Sequence, residues 1–233
     1  MPAKGAVLLA MGEITEEARA LDVFPAVDVE RTKELYEQSD ASCAGLQRSH
    51  VPRQISGGAP TLGRHTVSLS DVHRTYVQAP IYRDNSRRAL LWNNFTSLVT
   101  QVRRITPAAS VYIGGSFVSW KRKPDDIDCV FVLDKAFTRA ITNEKHVRLL
   151  RSLGRGKNGS LFKYGIDSYT LDWEAIPITQ PENNLHHRYL IHRGYWDDWL
   201  QRNSVKNEDP HPVHALPGHG YLEVMLDGYA VSL

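Results

Sequence analysis

The sequence contains few cysteines, no long apolar run and little net charge. Its 233 residues include 2 cysteines, Cys43 and Cys129, fewer than the paired sets of a disulfide-stabilised secreted domain. The longest apolar stretches, 6–11 and 129–133, are far shorter than the run needed to cross a bilayer. A formal net charge of +2 gives no strong overall field of the kind that attracts nucleic acids. We therefore expect a cytoplasmic protein without membrane association.

The character of the chain changes near residue 58. Hydrophobic residues make up 42% of the sequence, which is enough for one domain with a true core. Helical patterns at about 13–20 and 28–38 precede a stretch at 39–60 that is rich in Ser, Gly, Pro and Ala and typical of a linker. We predict an N-terminal helical extension with a linker over residues 1–58, followed by one domain over residues 59–233.

The main domain alternates predicted helices and strands. Ser68 or Ser70 can cap a short helix, and Asn85 or Ser86 can cap a longer helix over about 87–105 that has a clear apolar stripe. The other predicted elements are a strand at 110–113, a strand at 127–133, a helix at 135–153 and a strand within 161–178. This order predicts an α/β or α+β fold with a small mixed β-sheet flanked by helices.

Two short motifs lie between the first two predicted strands. Gly114-Gly115-Ser116 ends the first strand, and nine residues separate it from Asp126-Ile-Asp128, which begins the second. Residues two apart on a strand point to the same face, so the two carboxylates are expected to meet at one place. They repel each other unless a cation lies between them, and Mg²⁺ is commonly held by a few carboxylates together with substrate phosphates. The Gly-Gly-Ser turn allows backbone N–H groups to approach a phosphate closely.

Each motif by itself is weak evidence. A Gly-Gly-Ser sequence is more often an ordinary turn, and an Asp-x-Asp at a strand start is more often a solvated edge. In this order and spacing, the segment resembles the signature of DNA-polymerase-β-like nucleotidyltransferases, in which such a turn precedes an Asp-x-Asp or Asp-x-Glu pair. The resemblance implies a polymerase-β-like nucleotidyltransferase fold and nucleotidyl transfer as the activity.

More of the chain resembles a small group of stand-alone bacterial and phage nucleotidyltransferase-like proteins of unknown function (DUF6932-like). The similar segments are 62–73, 87–105, 115–118, 124–128, 165–167, 196–202 and 218–224. His219 departs from the pattern, because lysine is expected there. Small stand-alone members of the superfamily often act in toxin–antitoxin or phage-defence systems, so the resemblance implies such a setting.

The resemblance also implies a third carboxylate on a neighbouring strand. Asp167 and Asp172 are both candidates, but they are five residues apart, so only one of them can face the metal from a continuous strand. The Gly-Ile-Asp context favours Asp167. Asp126, Asp128 and this third acid would bind Mg²⁺ (or Mn²⁺) and carry the catalysis.

The remainder of the implied site would bind an NTP. The residues expected to contact its phosphates are Gly114, Gly115, Ser116, Lys123 and Lys163, with Lys121 and Arg122 as further cations. An NMP would pass to a hydroxyl of a protein, of an RNA such as tRNA, or of a small molecule. Residues 1–58 are a candidate surface for a protein partner.

Two other functions stay open at this point. A catalytically silent relative would bind a nucleotide or a partner as a sensor, but such a protein has no physical need for two adjacent like charges. A plain nucleic-acid-binding domain is disfavoured by the modest net charge and by the lack of a helix-turn-helix or zinc motif. Tyr195, Trp196 and Trp199 are interpreted as helix packing, with a base-stacking platform as the alternative.

Overall fold

The computed structural model describes residues 29–44, 58–173, 184–202 and 216–229. The helices in these ranges are α1 (Val29–Ala44), α2 (Leu69–Tyr76), α3 (Ser86–Arg103), α4 (Lys135–Ala140), α5 (Glu144–Leu153) and α6 (Asn184–Gln201). The strands are β1 (Arg64–Val67), β2 (Ala108–Gly114), β3 (Ile127–Asp134), β4 (Ile166–Trp173) and β5 (Tyr221–Met225). None of the helices within the described ranges has the length and apolar character that crossing a membrane requires.

The five strands form one mixed sheet in the order β1-β5-β2-β3-β4. β2 lies antiparallel between β5 and β3, whereas β4 runs parallel to β3 and β1 runs parallel to β5. The predicted α+β fold with a small mixed sheet is thus confirmed, and the strand expected within 161–178 is β4. β1, with only four residues, is a strand that the sequence periodicity did not predict.

Apolar side chains cover both faces of the sheet, which explains why β2 and β3 are buried along almost their whole length. One face, which includes Phe131 and Leu133, packs against α1, α2, α3 and α5, and we call it the α3 face. The opposite face, which includes Val130 and Val132, packs against α6, and we call it the α6 face. Successive residues of each strand therefore belong to different layers of the core.

The two helices of the α3 face that were predicted with caps are present. The Ser68 side chain accepts a hydrogen bond from the Asp71 backbone N–H, and the Asp71 carboxylate accepts one from the Ser68 backbone N–H, which is a capping box at the start of α2. Asn85 caps α3. Phe95 and Val102, on the apolar stripe of α3, are fully buried. The predicted helix over 87–105 is confirmed as Ser86–Arg103.

The single helix predicted over 135–153 is wrong, because the structure has two helices there. α4 ends at Ala140, Ile141 is extended, and α5 begins only at Glu144. The Asn143 side chain accepts hydrogen bonds from the backbone N–H groups of Lys145 and His146. Such local bonds compete with a continuous helix, and the asparagine therefore starts a new one.

The N-terminal helix is longer than predicted and belongs to the packed structure. α1 continues through Ser39 to Ala44, so the predicted linker from 39 onward is wrong over its first residues. The Ser39 hydroxyl donates to the Met225 carbonyl and accepts from the Leu69 backbone N–H. The helix predicted at 13–20 lies outside the described residues. The division at residue 58 stays a prediction.

Candidate metal centre

Three aspartates meet at one end of the sheet, where β2 ends and β3 and β4 begin. In the strand register, Asp128 lies opposite Gly114 on one side and opposite Asp167 on the other. Asp126 comes just before the first residue of β3. Each of the three carboxylates offers one oxygen, and these oxygens all lie within 4.8 Å of one another. We call Asp126, Asp128 and Asp167 the Asp triad.

Asp172, the alternative third acid, is not part of the triad. It lies five residues beyond Asp167 on β4, opposite Leu133 in the register, and its side chain is exposed. An odd separation along a strand places two side chains on opposite faces. Of the two candidates, only Asp167 shares a face with Asp128.

Asp167 is the most unusual member of the triad. It is 1% exposed, and the charge of Lys157 and a side-chain interaction with the Tyr169 hydroxyl both favour its ionised form. These contacts do not offset the effect of burial, because the pKa of Asp167 is still raised. A buried carboxylate with so little compensation is costly and favours either a proton or a cation.

The raised pKa values of the triad also favour either a proton or a cation at this place. Burial is the largest cause that raises the pKa of each carboxyl group, and the charge of a neighbouring aspartate adds to it, from Asp125 in the case of Asp126 and from other triad members in the cases of Asp128 and Asp167. For Asp128, burial and the charges of Asp126 and Asp167 raise the pKa to about 7. Without a cation, the three groups therefore cannot all be ionised at little cost near neutral pH.

Gly115 allows the turn after β2 to lie directly against this cluster. Its φ of +66° is in the left-handed region, which favours glycine. A Cβ at this position would overlap Oδ2 of Asp128. Gly115 is thus required for two reasons. Its backbone conformation favours glycine, and the Asp128 carboxylate occupies the space that a Cβ would need.

A buried arginine holds the loop that follows this turn. Arg88 on α3 is 0% exposed, and its guanidinium donates to four backbone carbonyls. The acceptors are Tyr76, Phe117, Ser119 and Lys121, at 2.6–3.0 Å. Three of them lie just after the Gly-Gly-Ser motif, so Arg88 fixes the path of the chain beside the triad. In the sequence, the arginine on the apolar stripe of this helix indicates a buried structural role for Arg88.

The cation with the largest effect on the triad is one that the sequence analysis did not select. Lys157, in the 3₁₀ turn Gly156–Asn158, lowers the pKa of all three carboxyl groups. The exposed Lys121 pairs with Asp125 at 2.7 Å, and Lys163 lies 5.0 Å from the ring of Tyr164. The nucleotide-binding roles of Lys123 and Lys163 stay predictions.

We expect Lys157→Met to weaken the binding of inorganic triphosphate in the presence of Mg²⁺ by about 2- to 5-fold, as is typical for an exposed charge pair. The physical reason is the loss of positive charge beside the triad. Isothermal titration calorimetry measures the triphosphate affinity of this variant and of Lys163→Met. The second variant removes another exposed lysine and serves as the comparison. A larger loss in Lys163→Met than in Lys157→Met would contradict the assignment of Lys157.

The fold and the triad together define the class of the protein: an α+β domain with a cluster of three carboxylates at one end of a mixed sheet. The family model of DUF6932, a family of unknown function, matches residues 52–223. The chain therefore belongs to this family. The match includes all three aspartates of the triad and the elements from β1 to α6. No similar chain was found among curated proteins or among solved structures.

Proposed function

We propose that this protein is a metal-dependent nucleotidyltransferase that transfers an NMP from an NTP to an acceptor hydroxyl. The observation that carries the proposal is the Asp triad, in which the buried Asp167 offers a carboxylate oxygen within 4.8 Å of those of Asp126 and Asp128. Three acids so close together repel one another unless a cation lies between them. A bound cation would stabilise all three carboxylates at once. The backbone N–H groups of the adjacent Gly-Gly-Ser turn can bind the phosphates of a nucleotide.

The ligand atoms of the triad fit Mg²⁺ or Mn²⁺. Both ions prefer oxygen ligands, and Mg²⁺ keeps coordination positions for water and for substrate phosphates. Asp126, Asp128 and Asp167 would hold the metal through carboxylate oxygens alone. When bound, the metal would neutralise phosphate charge and activate the oxygen of the acceptor.

The groups of the chain itself have separate tasks in this proposal. The backbone N–H groups and the hydroxyl of the Gly114–Ser116 turn bind the β- and γ-phosphates, and Lys157 contributes positive charge. Asp167 orients the acceptor hydroxyl and accepts its proton as a general base.

The reaction is an in-line displacement at the α-phosphorus. A bond forms between the acceptor oxygen and the α-phosphorus, while the bond from that phosphorus to the oxygen bridging to the β-phosphate breaks. Pyrophosphate leaves, and the proton of the hydroxyl passes through Asp167 to water. Positioning and electrostatic stabilisation supply most of the rate enhancement in such a reaction.

The proposed acceptor is a hydroxyl of a protein, an RNA or a small molecule, and the proposed setting is a toxin–antitoxin or phage-defence system in the cytoplasm. α1 packs on the α3 face, whereas Asp128 and Asp167 project from the α6 face. The described part of the N-terminal extension therefore lies on the opposite side of the sheet from the triad. This arrangement argues against α1 as a cover for the site and leaves partner binding as the role that we propose for the extension.

The proposal is tested by incubating the purified protein with each α-³²P-labelled NTP and Mg²⁺ or Mn²⁺, alone and with tRNA or cell lysate. We expect label on an acceptor with the wild type and with Asp172→Asn, and none with Asp126→Asn. Nucleotide binding without label transfer in any mixture would instead indicate a silent sensor of the same fold.

A further inference from the structure

Four aromatic rings lie together between β4 and the second half of α6. The ring centroid of Trp196 is 4.7 Å from that of Tyr169, 5.0 Å from that of Tyr195 and 5.6 Å from that of Trp199. Tyr169 and Trp199 are 6.2 Å apart with their rings at 64°. We call Tyr169, Tyr195, Trp196 and Trp199 the aromatic cluster.

The aromatic cluster is continuous with the Asp triad. Tyr169 is two residues beyond Asp167 on β4, so both side chains lie on the α6 face. The Tyr169 hydroxyl lies beside the Asp167 carboxylate and interacts with it directly. On the other side of the triad, a Cβ on Gly114 would come within 2.7 Å of Leu200, the residue after Trp199. The end of α6 therefore lies over the same strands that carry the triad.

Two rings of the aromatic cluster pack against the domain, and two are exposed. A Cβ on Gly156, whose φ is +53°, would overlap the Tyr169 hydroxyl, so the tyrosine fits closely against the backbone of that turn. Trp196 is half-buried on top of Tyr169. In contrast, Trp199 is 37% exposed and Tyr195 is 54% exposed. Helix packing, as interpreted from the sequence, accounts for Trp196 but leaves large exposed surfaces on the other two rings.

We propose that the aromatic cluster binds the nucleobase of the nucleotide whose phosphates lie at the Asp triad. This inference rests on the proposed function and adds to it the position and the mode of base recognition. The two sites adjoin, since Tyr169 is two residues from Asp167 on the same face of β4. Stacking accepts every base, because each base has a π-face. We therefore infer binding of all four NTPs, with purines preferred for their larger ring surface.

The test compares ligands with and without a base. Calorimetric titrations with Mg²⁺ present use ATP, UTP and inorganic triphosphate on the wild type, Trp199→Ala and Trp199→Phe. For Trp199→Ala, we expect ATP affinity to fall by about 5- to 20-fold, at the lower part of the range for base–aromatic stacking, while inorganic triphosphate binds unchanged. Trp199→Phe should retain most of the ATP affinity. Phe137→Ala is the matched control, because Phe137 is 50% exposed on α4, beyond the far end of β3.

The possible outcomes separate this inference from the proposed function. Equal affinity of the wild type for ATP and for inorganic triphosphate, or wild-type ATP affinity in Trp199→Ala, would overturn base stacking and leave phosphate binding intact. Failure of both ligands to bind would refute the proposed function as well. If Trp199→Ala unfolds at a lower temperature, Tyr195→Ala, at the more exposed ring, provides the same comparison. Quenching of tryptophan fluorescence by single-stranded RNA but not by NTPs would assign the rings to the acceptor and overturn the inference.

Discussion

Replacing Gly115 with alanine is expected to lower the rate of the proposed nucleotidyl transfer by about 100-fold or more, the loss typical of a catalytic group misplaced by about 1 Å. The added Cβ would overlap Oδ2 of Asp128. The backbone has little room to yield, because the neighbouring Gly114 is held in the ladder with β3, opposite Asp128 itself. The carboxylate must therefore rotate away from Asp126 and Asp167, and the proposed metal site would lose a ligand.

Gly228→Ala separates this effect from backbone strain. Gly228 has a φ of +79°, close to that of Gly115, but a Cβ there would have no atom of the described residues within 4 Å. Both variants carry the cost of a left-handed alanine, about 1–2 kcal/mol. Only Gly115→Ala should lose Mn²⁺ affinity in a calorimetric titration and activity in the transfer assay. Equal Mn²⁺ affinities in the two variants would contradict the role assigned to Gly115.

The sequence was sufficient to predict two of the triad members, because the alternation of side chains along a strand predicts that Asp126 and Asp128 share a face, and Asp126 keeps this position although it lies one residue before β3. The same periodicity showed that Asp167 and Asp172 cannot both join them. It could not show which strand lies beside β3, since the pairing of Asp128 with Asp167 depends on the tertiary fold. The Gly-Ile-Asp context, taken from the family resemblance, favoured Asp167, and Asp167 is the residue that lies in the triad.

The residues that the sequence did not select are those whose role depends on distant contacts. Lys157 is one of several basic residues near the end of α5, and only the two 3₁₀ turns that follow α5 place it beside the triad. Tyr169 looked like an ordinary strand residue, because its partners Trp196 and Trp199 come from α6. The helix break at Asn143 was missed for another reason: a side-chain cap can override a continuous helical pattern.

Asp128→Asn is expected to stabilise the metal-free protein near pH 8 and to remove its stabilisation by Mg²⁺. In the wild type, burial and the charges of Asp126 and Asp167 raise the pKa of Asp128 from 3.8 to about 7. Between these two values the folded state keeps a proton that the unfolded state has released. The metal-free protein therefore loses stability as the pH rises through this window. Asparagine carries no charge at any pH, so it removes this contribution and weakens the repulsion on the other two acids.

Thermal unfolding between pH 5 and pH 8, with and without Mg²⁺, measures both effects. The wild type should gain more from Mg²⁺ at higher pH, because the metal binds the ionised carboxylates. At about 100 times the dissociation constant, binding contributes about 2.7 kcal/mol, or roughly 5–10 °C in Tm for a domain of this size. Asp172→Asn, on the same strand but outside the triad, should behave like the wild type. A wild-type Mg²⁺ response in Asp128→Asn would show that the metal binds elsewhere, and the proposed function would lose its main support.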